Sequence, residues 1–269
     1  MTTSAFQYYL KSLNTLLRGV KNPGVMFSLF FRRSTKYAAR VNLKSGETFM
    51  VFSLMDLWIL KETLLDRQYE VVSLPLQDGW TIVDIGAALG DYAVWAAKQT
   101  PHGRLIAVEP FPPSVSLLRS NLEKNRVFNV EVFAGAIAAA SGLTILKVEQ
   151  GSIVQNSTAV GEKSGQTVEV KTASLDDLFA QYEISKCDYL KMDCEGGEYE
   201  ILFSASEQSL ARIDRICMEV HDGMTEHNRQ DMIKFLEQSG YRTRLTVNPV
   251  HVELAYLFAV KNSLEKELA

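Results

Sequence analysis

The stretch Thr81-Ile-Val-Asp-Ile-Gly-Ala-Ala-Leu-Gly-Asp-Tyr92 decides the fold of this chain. Its first five residues predict a buried strand, and the small residues that follow predict a tight turn into a helix. Gly86, Ala87, Ala88 and Gly90 carry little or no side chain, so a ligand can approach the backbone of this turn closely. The first N–H groups of the new helix have no partner within it. The stretch therefore predicts a nucleotide-like ligand at the carboxyl end of the strand.

The same alternation of short apolar runs with helical patterns continues along the chain. Five apolar runs predict strands at Thr81–Ile85, Leu105–Val108, Val130–Phe133, Asp188–Met192 and Ile216–Val220. Five other stretches predict helices at Asp91–Gln99, Ser114–Asn125, Leu175–Tyr182, Glu198–Leu210 and Thr225–Gln238. Such alternation is typical of an α/β protein with a mostly parallel, Rossmann-like sheet, which binds ligands at the carboxyl ends of its strands.

Two regions depart from the simple alternation. Leu143–Val148 and Val168–Thr172 resemble paired strands, and the segment Gln150–Gln166 between them is rich in Gly and Ser. This segment is predicted to form a flap. Near the end of the chain, Tyr241–Thr246 and Leu254–Val260 predict a C-terminal antiparallel hairpin, because no helical pattern separates them.

The first part of the chain differs in charge from the rest. Residues 1–46 contain eight Lys and Arg residues and no Asp or Glu, although the formal net charge of the whole chain is −4. Periodic apolar residues predict helices at Phe6–Val20 and Ser53–Arg67, and Ser45-Gly46 predicts a hairpin turn. We therefore divide the chain into an N-terminal basic helical and hairpin extension (1–74), a main α/β domain (75–262) and a tail (263–269).

The turn after the first strand does not fit a ligand held by its phosphates. A dinucleotide-binding turn requires glycine at the positions of Gly86, Ala88 and Asp91, and only the first is glycine here. Asp91 also places negative charge where a pyrophosphate would bind. S-adenosylmethionine (SAM) fits better, because its sulfonium and amino group are cationic and favour a nearby carboxylate such as Asp84.

Further residues complete the predicted SAM site. Glu109, at the end of the second strand, can accept hydrogen bonds from both ribose hydroxyls, although NAD-binding folds use a similar acid. Phe111 is expected to lie against the adenine, and Ala136, in the Phe133–Ile137 loop, is expected to flank it. An alternative role for Asp84 and Glu109 is helix capping.

Charged residues near the end of the fourth strand predict a catalytic site. Lys191, Asp193 and Glu195 alternate, so a continued strand would place all three on one side. On the fifth strand, Glu219 and His221 share a face. With an ordinary pKa of about 6.5, His221 would suit removal of a hydroxyl proton, and Asp193 is the other candidate base.

Other roles remain open for these residues. Asp193 is also a candidate for holding the amino group of SAM, and His221 for a purely structural hydrogen-bond network. Lys191 is expected to be a counter-ion. A metal site formed by Asp193, Glu195 and His221 matches no known ligand spacing, so no metal is predicted.

These motifs resemble the FkbM family of SAM-dependent methyltransferases. The resemblance rests on Asp84-Ile-Gly86-Ala-Ala-Leu-Gly90, Val108-Glu-Pro110, Lys191-Met-Asp-Cys-Glu-Gly-Gly-Glu198 and Glu219-Val-His221, and it covers roughly residues 47–260. The family usually has Asn where this chain has Ala88. The resemblance implies a class I methyltransferase fold and O-methylation of a sugar, glycan or natural product, with S-adenosylhomocysteine as the second product.

Composition excludes several other classes of protein. The chain is 46% hydrophobic and 22% charged, which is ordinary for a globular protein and rules out a disordered chain. No apolar run reaches the roughly 20 residues that a membrane-spanning helix needs. No secretory signal is apparent, and three scattered cysteines fit the reducing cytoplasm better than a disulfide framework.

The expected partner is a small-molecule or glycan acceptor, without nucleic acid. Residues 1–46 are expected to pack on the main domain, and the alternative is contact with an anionic membrane surface. Val25–Phe31 is a candidate subunit contact in a homo-oligomer. Two alternative functions are a non-catalytic SAM-binding scaffold and an NAD-dependent oxidoreductase.

Overall fold

A computed structural model describes residues 3–31, 37–148, 166–248 and 253–268 of the chain. The N-terminal extension contains the elements α1 (Thr3–Gly19), α2 (Gly24–Phe30), β1 (Ala39–Asn42), β2 (Thr48–Val51), α3 (Leu54–Leu60) and α4 (Gln68–Val72). A π-helical turn, Lys61–Leu65, continues α3. As the turn Ser45-Gly46 predicted, β1 and β2 form an antiparallel hairpin.

The main domain follows the predicted alternation of strands and helices. Its central strands are β3 (Thr81–Ile85), β4 (Arg104–Glu109), β5 (Val130–Ala134), β9 (Tyr189–Met192), β10 (Arg215–His221), β11 (Tyr241–Val247) and β12 (Leu254–Lys261). The helices are α5 (Asp91–Gln99), α6 (Pro112–Lys124), α7 (Leu175–Gln181), α8 (Glu198–Ser204), α9 (Glu207–Leu210) and α10 (Arg229–Gln238). A 3₁₀ helix, Asn262–Leu268, ends the described chain.

The seven central strands form one sheet in the order β11-β12-β10-β9-β3-β4-β5. The five strands from β10 to β5 are parallel, whereas β12 is antiparallel to both β10 and β11. The predicted fold, a mostly parallel Rossmann-like sheet with a C-terminal antiparallel hairpin, is therefore confirmed. The order reverses between β3 and β9, so the carboxyl ends of these two strands border the crevice where such sheets bind ligands.

A second, smaller sheet forms beside the first. It contains β6 (Ala136–Ile137), β7 (Gly142–Val148) and β8 (Gln166–Ala173), in the order β6-β8-β7. The antiparallel pairing of β7 with β8 agrees with the predicted insertion. Residues 150–165 of the predicted flap lie outside the described residues.

Three predicted helices differ most from the observed ones, and the causes are local. The predicted helix Glu198–Leu210 is two helices, because Ala205 is extended and the side chain of Ser206 caps α9. The helix predicted from Thr225 begins only at Arg229, where Asn228 forms a capping box. The third, Ser53–Arg67, changes to π-helix at Lys61 and ends before Arg67, whose φ is +54°.

The N-terminal extension and the main domain share a hydrophobic core. One cluster of buried side chains joins Val20, Phe49 and Leu57 of the extension to Ile82 and Leu118 of the main domain. A second cluster fills the other face of the sheet, around Val83, Leu190 and Met218. The extension is thus packed against the sheet, and the predicted boundary at residue 74 falls in the irregular link between α4 and β3.

Candidate active site

A cavity of about 740 Å³ opens at the carboxyl ends of β3, β4, β9 and β10. Seven of the ten predicted site residues line it: Gly86, Glu109, Phe111, Ala136, Asp193, Glu195 and His221. Asp84, Ala87 and Gly90 do not line it. The structure therefore brings the predicted cofactor residues and the predicted catalytic residues to one cavity.

Two glycines give the first turn its shape. Gly86 has a φ of +81°, and an added Cβ would lie 1.8 Å from the carbonyl oxygen of Asp193. Gly90 has a φ of +86°, and its Cβ would lie 2.5 Å from the side chain of Leu118. The backbone N–H groups of Gly86 and Ala87 both donate to the carbonyl of Val108. Gly90 and Ala87 thus contact the protein interior, at Leu118 and Val108, while Gly86 forms part of the cavity wall.

Glu109 supports this turn and also faces the cavity. Its carboxylate accepts hydrogen bonds from the backbone N–H of Ala88 at 2.9 Å and of Phe111 at 2.8 Å. Burial raises the pKa of Glu109 to about 7, because desolvation outweighs these two hydrogen bonds. Its side chain also lines the cavity next to the turn.

Asp84 has a different position from the one the sequence predicted. Its side chain is fully buried, and its Oδ1 lies 3.0 Å from Nζ of Lys191, which also donates to the carbonyl of Gly86. Burial raises the pKa of Asp84, and the charge of Lys191 opposes this shift. Lys191 is the counter-ion that the sequence predicted, whereas direct contact of Asp84 with a ligand is not supported, because a structural ion pair occupies its carboxylate.

The predicted alternation of Lys191, Asp193 and Glu195 is wrong, because β9 ends at Met192. Asp193 and Glu195 lie in the turn that follows, and Glu195 has a left-handed backbone with a φ of +52°. Lys191 points back to Asp84, while Asp193 and Glu195 line the cavity. The three charges are thus divided between an internal ion pair and the cavity wall.

Buried or partly buried partners orient the charged side chains of the cavity. The hydroxyl of Tyr69 donates to Oδ2 of Asp193 at 2.8 Å. His221 Nδ1 lies 3.3 Å from Oε1 of the fully buried Glu198, and its Nε2 lies 3.7 Å from Oε2 of Glu195. These contacts fix the His221 ring between two carboxylates at the end of β10.

The charge state of His221 differs from the expectation. Burial alone would lower the pKa of His221, but the close contact with Glu198 and the negative charges of Asp193, Glu198 and Glu195 raise it to about 10. His221 is therefore protonated at neutral pH, rather than titrating near its ordinary value. In this state it donates hydrogen bonds and cannot accept a proton.

Glu219 is an acid that the sequence placed beside His221 but did not include in the site. Burial and the charge of Asp193 raise the pKa of Glu219 to about 8. Carboxylate oxygens of Asp193 and Glu219 and a ring nitrogen of His221 all lie within 4.8 Å of one another. This set could hold a metal ion, and it contains Glu219 in place of the Glu195 that the sequence considered.

The N-terminal extension forms one wall of the cavity. Tyr8, Tyr9 and Trp58 line it, and both the Tyr8 hydroxyl and the Trp58 indole N–H donate to Glu62, at 2.8 and 2.9 Å. This wall was not predictable from the sequence, because Trp58 lies about 50 positions from Tyr8 and Tyr9 and meets them only through packing. Asp91, seen in the sequence only as a charge unsuited to pyrophosphate, also lines the cavity.

Comparison with known proteins identifies a related family. The family model for the methyltransferase FkbM domain matches residues 84–243, more than half of the 269-residue chain. This range contains every predicted site residue, whereas the aromatic wall of the N-terminal extension lies outside it.

Curated relatives include the hexuronic acid methyltransferase AglP of Haloferax volcanii, which is 24% identical over 226 residues, covering 83% of this chain and 86% of AglP. The AMB antimetabolite synthetase AmbE of Pseudomonas aeruginosa is 22% identical over 76% of this chain, which spans only 12% of the length of AmbE. Among solved structures, M. jannaschii TYW2 in complex with AdoMet has a TM-score of 0.50 at 14% identity, covering 86% of this chain and 87% of TYW2. The last likeness concerns the fold alone.

Proposed function

The chain belongs to the FkbM family of methyltransferases, and on that premise we propose that it transfers the methyl group of SAM to a hydroxyl group of a sugar, glycan or related small molecule. Family membership favours methyl transfer over the NAD-dependent oxidoreductase and the scaffold. One observation carries the proposal. The glycine turn with Glu109 and the charged group around Asp193 and His221 line a single cavity.

The residues around the first turn fit SAM. Gly86 lines the cavity beside the carbonyl of Asp193, and the buried Glu109 is assigned to offer carboxylate oxygens to the two ribose hydroxyls. Phe111 and Ala136 line the part of the cavity next to Glu109 and are assigned to the adenine. Asp84 supports the site indirectly, by holding Lys191 against the carbonyl of Gly86.

The charged residues at the carboxyl ends of β9 and β10 are assigned to the acceptor. When bound, SAM supplies a methyl group activated by a positively charged sulfur, so the protein mainly has to align the acceptor and take up its hydroxyl proton. We assign proton uptake to Asp193, which Tyr69 holds in position, because His221 already carries a proton. His221 and Glu195 then orient the acceptor and balance the charge around it. Binding of the SAM amino group is the alternative role for Asp193.

The aromatic wall is assigned to the body of the acceptor. Tyr8, Tyr9 and Trp58 present apolar ring surfaces beside the polar Glu62, a combination that suits a molecule with both apolar faces and hydroxyls. The name of the relative AglP, a hexuronic acid methyltransferase, supports a sugar acceptor.

Two measurements on the purified chain test this proposal. In thermal unfolding, SAM and S-adenosylhomocysteine should raise the melting temperature, and NAD should not, because a ligand stabilises only the state it binds. A methyl-transfer screen of hydroxylated sugars and lipid-linked glycans should then yield a methyl ether with wild-type protein and none with Asp193→Asn. Stabilisation by NAD alone, or methylation only at a carbon or nitrogen atom, would contradict the proposal.

A further inference from the structure

Helix α1 exposes an apolar stripe that does not face the core. Leu10, Leu13 and Leu17 are 53%, 49% and 47% exposed, and their spacing places them along one side of the helix. The core-facing side of the same helix carries Leu16, which is 6% exposed, and Val20 directly after the helix is 1% exposed. The helix thus has a second apolar side, for which the described residues provide no cover.

Helix α2, which follows after a four-residue link, exposes even larger side chains. Phe27, Phe30 and Phe31 are 69%, 69% and 75% exposed, while Leu29 is buried against the protein. Single exposed apolar residues are common on protein surfaces, but a set of this size on two consecutive helices indicates an interaction surface. We define the docking surface as Leu10, Leu13, Leu17, Phe27, Phe30 and Phe31.

The segment that carries the docking surface contains basic residues and no acidic ones. The described basic residues of this segment are all exposed: Lys11, Arg18, Lys21, Arg40 and Lys44. The segment 1–46 contains no acidic residue, whereas the rest of the chain has 28 − 8 = 20 basic and 32 acidic residues. Positive charge is therefore concentrated in the segment that also exposes large apolar side chains.

This combination distinguishes between possible occupants of the surface. A second copy of the chain meeting it symmetrically would bring like charges together. An anionic bilayer supplies both an apolar interior for Leu and Phe side chains and negative headgroups for Lys and Arg. We propose that α1 and α2 bind the surface of an anionic lipid bilayer. The contact is peripheral, because none of the described helices is long and apolar enough to cross a membrane.

Helix α1 connects the docking surface to the cavity. Tyr8 and Tyr9 line the cavity, and Leu17 lies eight residues further along the same helix, about 12 Å at the rise of an α-helix. Docking would hold the cavity close to the headgroup region, where an acceptor carried on a lipid is found. This choice of acceptor rests on the proposed function, whereas the docking itself does not.

Vesicle flotation with the full-length chain tests the docking. Wild-type protein should float with vesicles of phosphatidylcholine and phosphatidylglycerol, bind less as salt is added, and float poorly with phosphatidylcholine alone. Leu13→Glu/Leu17→Glu and, separately, Lys11→Glu/Arg18→Glu should each weaken binding at least about tenfold. Matched controls elsewhere on the surface are Phe128→Glu, whose side chain is 87% exposed, and Lys124→Glu/Lys234→Glu, and these should bind as wild type does.

Thermal unfolding with and without SAM confirms that each variant is folded, so loss of docking and loss of SAM binding are measured separately. Failure of wild-type protein to float with anionic vesicles at low salt would overturn the proposal, as would unchanged flotation of both the Leu and the Lys/Arg variants. A protein that does not float but dimerises through Leu13 and Leu17 would show that a second copy covers the surface, which also overturns it.

Discussion

The carboxylate of Glu109 has a structural role and an assigned role in binding the cofactor. It accepts hydrogen bonds from the backbone of the glycine turn and of Phe111, and it faces the cavity where the ribose of SAM is assigned. Burial raises its pKa to about 7, so its charge changes within the range of pH in which enzymes are usually assayed. Cofactor affinity and protein stability should therefore both depend on this one proton.

The affinity for SAM should decrease as the pH falls from 8 to 6, because the neutral acid accepts hydrogen bonds less strongly than the carboxylate. Glu109→Gln should bind SAM about tenfold to a hundredfold more weakly at pH 8, the cost of losing hydrogen bonds to a charged group, and should show little change with pH. Isothermal titration calorimetry at several pH values measures both effects. Glu131→Gln, an exposed acid on the neighbouring strand, is the matched control.

The stability contribution of Glu109 has the opposite dependence on pH. Because the pKa is raised in the folded state, folding favours the protonated acid, so this contribution is fully present below the ordinary pKa of 4.5 and is lost as the pH rises through about 7. The side chain of Glu109→Gln is neutral at every pH, so the variant should not show this decrease in stability. A parallel pH dependence of affinity in wild type and variant would show that another group controls SAM binding.

His221 should be needed for turnover but not for SAM binding, because it lies at the end of β10, whereas the residues assigned to SAM lie at or after the ends of β3, β4 and β5. His221→Ala removes the positive charge between Glu195 and Glu198 and the hydrogen-bond donor assigned to the acceptor. Turnover should fall by about 10²-fold or more, because an acceptor that is no longer oriented is poorly aligned with the methyl group. Calorimetry should show unchanged SAM affinity.

The matched control for this variant is His102→Ala, because the His102 side chain is 84% exposed and does not line the cavity. Wild-type turnover in His221→Ala would remove this residue from the catalytic group. A loss of SAM affinity equal to the loss of turnover would show that His221 acts in cofactor binding instead.

The sequence identified which residue types belong to the site but did not separate their roles. Asp84 and Glu109 both lie at the carboxyl ends of strands, and the sequence predicted both as cofactor ligands. Their difference depends on strand order, because β9 pairs with β3 and places Lys191 directly beside Asp84. The pKa of His221 likewise depends on the pairing of β10 with β9, which brings the ring to Asp193, Glu195 and Glu198, so the sequence alone suggested the ordinary value near 6.5.

At the scale of elements, the glycine turn that follows β3 packs directly against the end of the neighbouring strand β9. Gly86 lies so close to the carbonyl of Asp193 that β3 and the end of β9 could not keep their positions with a side chain between them. Gly86→Ala should therefore displace the Asp193 turn as well as the cofactor turn. We expect loss of SAM binding and a clear decrease in the free energy of unfolding, measured by urea titration.

Gly79→Ala is a matched control for this collision. Gly79 has a φ of +85°, close to the +81° of Gly86, but a Cβ at Gly79 would meet no atom within 4 Å. Both variants introduce the strain of a left-handed backbone, about 1–2 kcal/mol, and only Gly86→Ala adds a collision with the carbonyl of Asp193. Equal destabilisation of the two variants would show that the approach of Gly86 to Asp193 is not structurally important.

The elements themselves were largely predictable because their signals are local. The strands and the terminal hairpin follow from apolar runs and turn residues within about ten positions. The errors occurred where a single capping side chain decides the boundary, as Ser206 and Asn228 do. The aromatic wall was not predictable, since Tyr8 and Trp58 meet only through the packing of α1 on α3.

At the scale of the whole molecule, the N-terminal extension has two kinds of surface. One side supplies Leu16, Val20 and Phe49 to the same hydrophobic cluster as the main sheet. The other side carries the exposed apolar and basic residues of the docking surface. The extension is thus part of the folding unit, and its outward side remains available for an additional role.

A shared core implies that the extension and the main domain unfold together. Urea titration followed by circular dichroism and by tryptophan fluorescence should give one coincident transition, since Trp58 belongs to the extension and Trp80 and Trp95 to the main domain. Removal of residues 1–52 should expose the side chains that Val20, Val41 and Phe49 now cover, and should lower solubility and the melting temperature together. Two separate transitions, or a truncated chain that unfolds as wild type does, would show that the extension is an independent unit. Substitutions on the outward side of α1, such as Leu13→Glu, should instead leave the transition unchanged, because these side chains contribute to the surface and not to the shared core.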